Sequence, residues 1–267
     1  MRALILSGYG INCEDETLNA FKTVGIKAAI VHVNDLIENV YKLKNFQILA
    51  LPGGFSYGDH TGSGNAMAHK IKNNLFEQIV NFIEQDKLVI GICNGCQILV
   101  NLGIVPALEG YKREVALVEN DIATYQCRWI KLKIINKLGP WFKKINYLYL
   151  PVAHQEGKFV ADKTIIGKLK KKKLIACKYI NQAGLPAKKK FPYNPNGSME
   201  DIAAITNSKG NVLAMMPHPE RALYLTQKPN WIDRKVKIDN KSQHKNELYA
   251  DGYKTVSYTH LTLPTKA

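Results

Sequence analysis

Leu88-Val-Ile-Gly-Ile-Cys93-Asn-Gly-Cys-Gln-Ile-Leu-Val-Asn-Leu102 decides the fold. Val89, Ile90 and Ile92 form a short apolar run suited to a buried parallel strand. Gln97 to Leu102 read as the first turns of an amphipathic helix. Between them, Gly91-Ile-Cys93-Asn-Gly95 sets a nucleophile with a glycine two residues to either side, a nucleophile elbow with sulfur in place of oxygen. Side chains at the two flanking positions would strike neighbouring backbone, so the turn needs glycine there. The elbow lifts Cys93 to the end of a sheet and sets it at a helix N-terminus, where free amides and the dipole favour an anion. The N–H of Asn94 then faces a developing oxyanion.

Cys93 and Cys96 also spell C-x-x-C, which fits a redox pair or half of a zinc site. No second ligand pair stands at zinc spacing, and a redox pair leaves Gly91 unexplained. A plain buried cysteine at a strand end is the remaining reading, and the stretches on either side weigh against it.

Upstream, Ala3–Leu6, Ala28–Val33 and Phe46–Leu51 read as strands. A helix runs from the acidic Glu14-Asp-Glu16 to about Thr23 and stops at Gly25. Short helices between strands imply right-handed crossovers and a parallel sheet. Leu36–Tyr41 reads as a short helix and Asn65–Asp86 as a long one. The third strand enters Pro52-Gly-Gly-Phe-Ser-Tyr-Gly-Asp59. Gly53 and Gly54 at a strand's carboxyl end let backbone amides point outward, toward a negative oxygen. Ligands of open α/β sheets bind on that rim, which Cys93 shares.

Downstream, Cys127–Ile135 alternates as an antiparallel strand with one solvated face. Tyr147–Ala153, Leu174–Tyr179 and Ile202–Thr206 continue a β-rich half. Gln182–Met199 reads as an exposed lysine-rich loop, with a turn at Asn196-Gly197. Val212-Leu-Ala-Met-Met-Pro-His218-Pro-Glu220-Arg221 is another strand ending in His-x-Glu. In extended chain, residues two apart share a face, so a histidine there can move protons while a carboxylate orients it. His154 and Glu156 repeat the pattern, and spacing alone does not choose between the pairs.

The 267 residues are 46% hydrophobic, enough for one α/β domain, read over 1–254. Thr255-Val-Ser-Tyr-Thr-His-Leu-Thr-Leu-Pro-Thr-Lys-Ala267 is β-branched, interrupted by proline and unlike a helix. We therefore read 255–267 as a non-native or disordered tail. No apolar run approaches the ~18 residues of a membrane span, and Met1–Ser7 leads into a strand rather than a signal peptide. Five scattered cysteines suit a reducing compartment, so a cytoplasmic location is expected. The net charge of +15 invites a nucleic-acid reading. The excess is nearly all lysine, without the arginine forks and interleaved aromatics of nucleic-acid sites. A solvated lysine face, or a docking face for an acidic protein, fits better.

The Pro52–Asp59 and Gly91–Leu99 stretches, Met215-Met-Pro-His-Pro-Glu-Arg-Ala222 and Asn12-Cys-Glu-Asp-Glu-Thr17 together resemble one family. It is that of the glutaminase subunits of phosphoribosylformylglycinamidine synthase, triad-type (class I) glutamine amidotransferases of purine biosynthesis. The resemblance implies an α/β, flavodoxin-like fold: an open, mostly parallel sheet flanked by helices, with antiparallel strands in the second half. It implies Cys93 as nucleophile, His218 as base and Glu220 as its orienter. It places oxyanion donors at Asn94 and at Gly53 or Gly54, and Phe55, Gln97, His154 and Glu156 beside bound glutamine. It implies no metal and no cofactor in this chain. ATP and magnesium belong to a partner synthetase subunit that receives the ammonia, in some members alongside a small accessory subunit.

Two rival classes are separable. A related cysteine-elbow hydrolase or chaperone-like protein would not release ammonia from glutamine. A non-catalytic basic binding module would show salt-dependent nucleic-acid retention.

Overall fold

The computed structural model describes residues 1–232 and 248–260. Its centre is a nine-stranded sheet in the order β2-β1-β3-β4-β11-β10-β9-β6-β7. Here β1 is Arg2–Ser7, β2 Lys27–His32, β3 Ile48–Leu51 and β4 Leu88–Ile92, with β6 Gln126–Ile134 and β7 Tyr147–His154. β9 is Ile175–Ile180, β10 Ile202–Thr206 and β11 Val212–Met215. Strands from β2 to β11 run parallel. From β10 to β7 neighbours alternate in direction. A separate ribbon pairs β5 (Ala116–Val118) with β8 (Lys158–Val160).

The parallel half explains its own sequence. Every residue of β3, β4 and β11 is buried, so these strands read as unbroken apolar runs. In β6, Ile130, Leu132 and Ile134 are buried while Lys133 is exposed, the alternation expected where one face meets water.

Register sets the site. Leu51 lies beside Gly91, and Met215 beside Ile92. The carboxyl ends of β3, β4 and β11 therefore open on one rim, each leading into a motif singled out above. The Cys93 amide donates to the Met215 carbonyl at 2.8 Å, tying elbow to histidine strand.

Helices flank the sheet: α1 (Glu14–Thr23), α2 (Val33–Ile37), α3 (Asn65–Asn74), α4 (Phe76–Glu84), α5 (Asn94–Asn101), α6 (Lys163–Lys171) and α7 (Asp251–His260). Gly25 ends α1 at φ 81°, as read from the sequence. Four expectations need correction. The single helix over 65–86 is two, broken where Leu75 turns to φ −130°. α2 starts at Val33 rather than Leu36, because His32 caps it by accepting the Asn34 amide. α6 was not foreseen; Ile166 and Leu169 bury its apolar stripe and its lysines face out.

The fourth is α7, which carries Thr255 to His260 in helical form where a non-helical tail was expected. Thr255 and Val256 are buried, and tertiary contact overrides their weak propensity. A Cβ on Gly252 would sit 1.9 Å from the Pro219 carbonyl oxygen, so α7 rests directly on the His-Pro-Glu turn. Residues 261–267 of the expected tail lie outside the described residues. Among the described residues no helix is long and apolar enough to cross a membrane.

Candidate active site

Cys93 occupies φ 51°, ψ −105°, a conformation few non-glycine residues adopt and one that turns β4 abruptly into α5. The two glycines of the elbow are needed for distinct contacts. A Cβ on Gly91 would lie 2.5 Å from the Gly95 carbonyl oxygen, and one on Gly95 only 1.9 Å from that of Leu51. Helix and strand thus approach at backbone contact. Asn94 is the first residue of α5, so its amide has no carbonyl one turn below it.

The glycine pair after β3 is oriented by hydrogen bonds. The Gly53 carbonyl accepts from the amides of Asn12 and Cys13 at 3.3 and 3.2 Å. Because a peptide is planar and trans, the Gly54 N–H points the opposite way. Gly54 sits at φ 153°, and a Cβ there would be 2.6 Å from the Gly10 carbonyl oxygen. A Cβ on Gly53 would strike the His218 ring at 2.8 Å. Of the two glycines, Gly54 is the one that lines the cleft beside Cys93.

That cleft, about 300 Å³, is also lined by Phe55, Asp59, Gln97, His154 and Glu156. A larger hollow of about 410 Å³ lies at the other end of β3 and β4, against Leu43 and Lys87. It contains none of the expected site residues.

The structure separates the two His-x-Glu pairs. His218 Nδ1 lies 2.5 Å from Glu220 Oε1, both side chains fully buried. A carboxylate only accepts, so Nδ1 carries the proton, and Nε2, buried and without a hydrogen-bond partner, is left as the basic atom. Burial alone would press the imidazolium down. Glu220, with the sulfurs of Cys93 and Cys13, outweighs it and holds the His218 pKa well above its ordinary value.

His154 is not paired with Glu156. Its Nδ1 meets Asn120 Oδ1 at 3.2 Å and its Nε2 faces Asn196 Nδ2 at 3.5 Å. The Glu156 carboxylate instead accepts the Ser63 amide at 3.0 Å. Burial, and then the charge of His218, push the His154 pKa down to about 3. The folded state therefore keeps His154 neutral while the unfolded chain takes up a proton below its ordinary value of 6.5. Stability from this residue is full above that value and is lost as pH falls toward 3, at about 1.4 kcal/mol per unit. Urea unfolding of wild type and His154→Gln between pH 7 and 4 should show the wild-type advantage shrinking at that rate; a constant difference would refute the neutral assignment.

Gln97 is buried, with Nε2 bound to the Glu156 carbonyl at 2.6 Å and Oε1 accepting from Asn94 Nδ2 at 3.0 Å. Both ends of its amide are thus engaged, and it joins the start of α5 to the Glu156 loop. Phe55 stands at the mouth, exposed, with Tyr125 6.2 Å away. Cys96 is buried on the inner side of α5, and burial pushes its thiol well up, which makes it a poor redox partner for Cys93.

Several contributors were missed. Asn194, Asn196 and Ser198 are buried, where an exposed loop was expected. Asn196 donates to Tyr179 Oη at 3.1 Å, and Ser198 Oγ accepts the Phe159 amide at 2.9 Å, bracing the chain after His154. The signal was there in Asn194-Pro-Asn-Gly-Ser198, small polar groups able to satisfy one another. Asp59 accepts from Ser63 Oγ at 2.9 Å; burial, against that bond, raises its pKa. Cys13 and Arg221 meet at 2.9 Å through sulfur and Nη2. Ligating atoms of Cys13, His218 and Glu220 all lie within 4.8 Å of one another, the one such cluster among the described residues. The guanidinium on the sulfur opposes a cation there, so the cluster reads as a hydrogen-bonded network.

Residues 1–255 match a family described as the CobB/CobQ-like glutamine amidotransferase domain. Phosphoribosylformylglycinamidine synthase subunit PurQ of Methanococcus maripaludis is 45% identical over 232 residues, 86% of this chain and 85% of that protein. The subunit of the same name from Dehalococcoides mccartyi is 39% identical, over 86% and 89%. Among solved structures, PurLQS from Thermotoga maritima superposes with a TM-score of 0.67 at 28% identity, covering 98% of this chain and 99% of that one. A glutamine amidotransferase from the same organism, 12% identical with a TM-score of 0.54, shares the fold. The chain belongs to the glutamine amidotransferases, in the family of PurQ subunits of phosphoribosylformylglycinamidine synthase.

Proposed function

We propose that Cys93, His218 and Glu220 hydrolyse the side-chain amide of glutamine. The chain is the glutaminase subunit of a phosphoribosylformylglycinamidine synthase, acting in purine biosynthesis. In our reading the ammonia passes to a synthetase subunit, in the cytoplasm, where ATP and magnesium drive conversion of formylglycinamide ribonucleotide to the amidine.

His218 Nε2 takes the Cys93 proton and the sulfur attacks the amide carbon. The oxyanion faces the amides of Asn94 and Gly54, each such donor being worth about 3 kcal/mol. His218 returns the proton to the departing ammonia, leaving a glutamyl thioester. It then draws a proton from water, which attacks the thioester; glutamate leaves and the thiol re-forms. Glu220 holds the ring in one tautomer and stabilises the imidazolium. Asp59 and Glu156 in the cleft wall complement the α-ammonium of glutamine, and Phe55 covers its mouth.

The observation that carries this reading is the buried Nε2 of His218, free of partners while Nδ1 is bound to Glu220 at 2.5 Å. Treatment with a glutamine-derived electrophile, followed by peptide mapping, should give one adduct on Cys93, prevented by excess glutamine. An adduct on Cys127, the exposed cysteine, or none at all, would refute it.

A further inference from the structure

We propose that Cys13 is a positioning residue for the catalytic pair: its sulfur holds the Arg221 guanidinium off Glu220, so that the carboxylate's charge stays committed to His218. This rests on His218 being the base, as set out above.

Cys13 sits just before α1 with 1% of its surface exposed. Its sulfur accepts from Arg221 Nη2 at 2.9 Å and donates to Asn12 Oδ1 at 3.3 Å. The loop that carries it is fixed by two amides on the Gly53 carbonyl. Sulfur and imidazole both press on Gly53, within 3.0 and 2.8 Å of where a Cβ would stand.

The guanidinium is adjacent to the triad and yet poorly engaged with it. Arg221 Nε stands 4.0 Å from Glu220 Oε1, beyond a hydrogen bond. Both Arg221 Nε and Glu220 Oε2 are buried without hydrogen-bond partners. Buried atoms without a hydrogen bond on groups of opposite charge gain by closing from ion-pair distance to a hydrogen bond, so something must keep Nε and the carboxylate at 4.0 Å. Nη2 on the Cys13 sulfur is the contact that does so. Released, the guanidinium would chelate Glu220 in a fork and weaken the field that favours the imidazolium.

The ionisable groups facing His218 and Arg221 are Cys93 at the elbow, His154 on β7, Tyr125, Cys13, Glu16 on α1, and Glu220. Cys13→Ala removes from this set the acceptor on Arg221 Nη2. The sulfur's own effect on His218 is lost with it, so the part that comes from Arg221 is the part that disappears when the arginine is removed.

Glutamate formation by the complex reconstituted with its synthetase subunit should be followed against pH. Cys13→Ala is expected to lower kcat/KM about tenfold and to move the limb of imidazolium deprotonation about one unit down. Cys13→Ser, whose hydroxyl still accepts from Arg221, should recover the wild-type limb. In an Arg221→Gln background, Cys13→Ala should move the limb much less, by the sulfur's own share alone. If the limb stays put in Cys13→Ala, or moves equally without the arginine, the proposal is overturned. Should Cys13→Ala fail to fold, Cys13→Val removes the acceptor while filling the space and is read the same way. His218→Asn run alongside distinguishes failures: if it retains activity, the base assignment falls, whatever Cys13 does.

Discussion

Cys93→Ser should abolish glutamine-dependent synthesis in the reconstituted complex while leaving synthesis from added ammonium at its wild-type rate. The expected loss of glutaminase kcat is about four to six orders of magnitude, on the scale of nucleophile removal in other triad enzymes, or about 5–8 kcal/mol of barrier. The serine oxygen occupies nearly the sulfur's place, so the cleft and the Met215 tie are kept. What changes is the acidity of the nucleophile: an alcohol holds its proton far more tightly than a thiol, so in a site set for sulfur the same helix end and imidazole leave far less of the attacking anion. Because every expected site residue for glutamine lies on this chain's own rim, the synthetase chemistry should not notice. Loss of the ammonium-dependent rate as well would show that the elbow serves more than glutamine hydrolysis.

The elbow was legible because its constraints are local. Gly91 and Gly95 are required by backbone contacts at 2.5 and 1.9 Å, and apolar β4 can lie only in the middle of a sheet. The parallel half was legible for the same reason, since each strand-helix unit carries its own pattern. What escaped was settled at long range. Asn196 is buried because Tyr179 and His154, more than a dozen residues away in sequence, offer it partners; lysines around it suggested solvent. Thr255 and Val256 are helical because Gly252 lets α7 sit against Pro219. Cys13 and Arg221 are 208 residues apart, and nothing in either segment announces the other. The choice between His154 and His218 belongs here too. Both stand two residues before a glutamate, and only the fold shows that Glu156 turns toward Ser63 while Glu220 turns toward its histidine.

That difference predicts a large asymmetry between the histidines. His218→Asn should cost about three to five orders of magnitude in glutaminase kcat, because asparagine neither accepts the thiol proton nor returns one to ammonia. His154→Asn should cost far less, about ten- to a hundredfold, through disorder of the chain between Ala153 and Gly157 that walls the cleft. The two losses should also differ in kind. With His218 gone, glutamine should still protect against unfolding, since the cleft wall is intact. With His154 gone, that protection should weaken and KM should rise, while the pH limb set by His218 stays where the Glu220 carboxylate places it. A His154 variant that loses the pH limb, with His218→Asn retaining it, would transfer the base assignment to β7. The geometry argues otherwise: a ring held neutral between Asn120 and Asn196 has no free nitrogen to offer a substrate, whereas His218 keeps its Nε2 unbonded at the edge shared by β4 and β11.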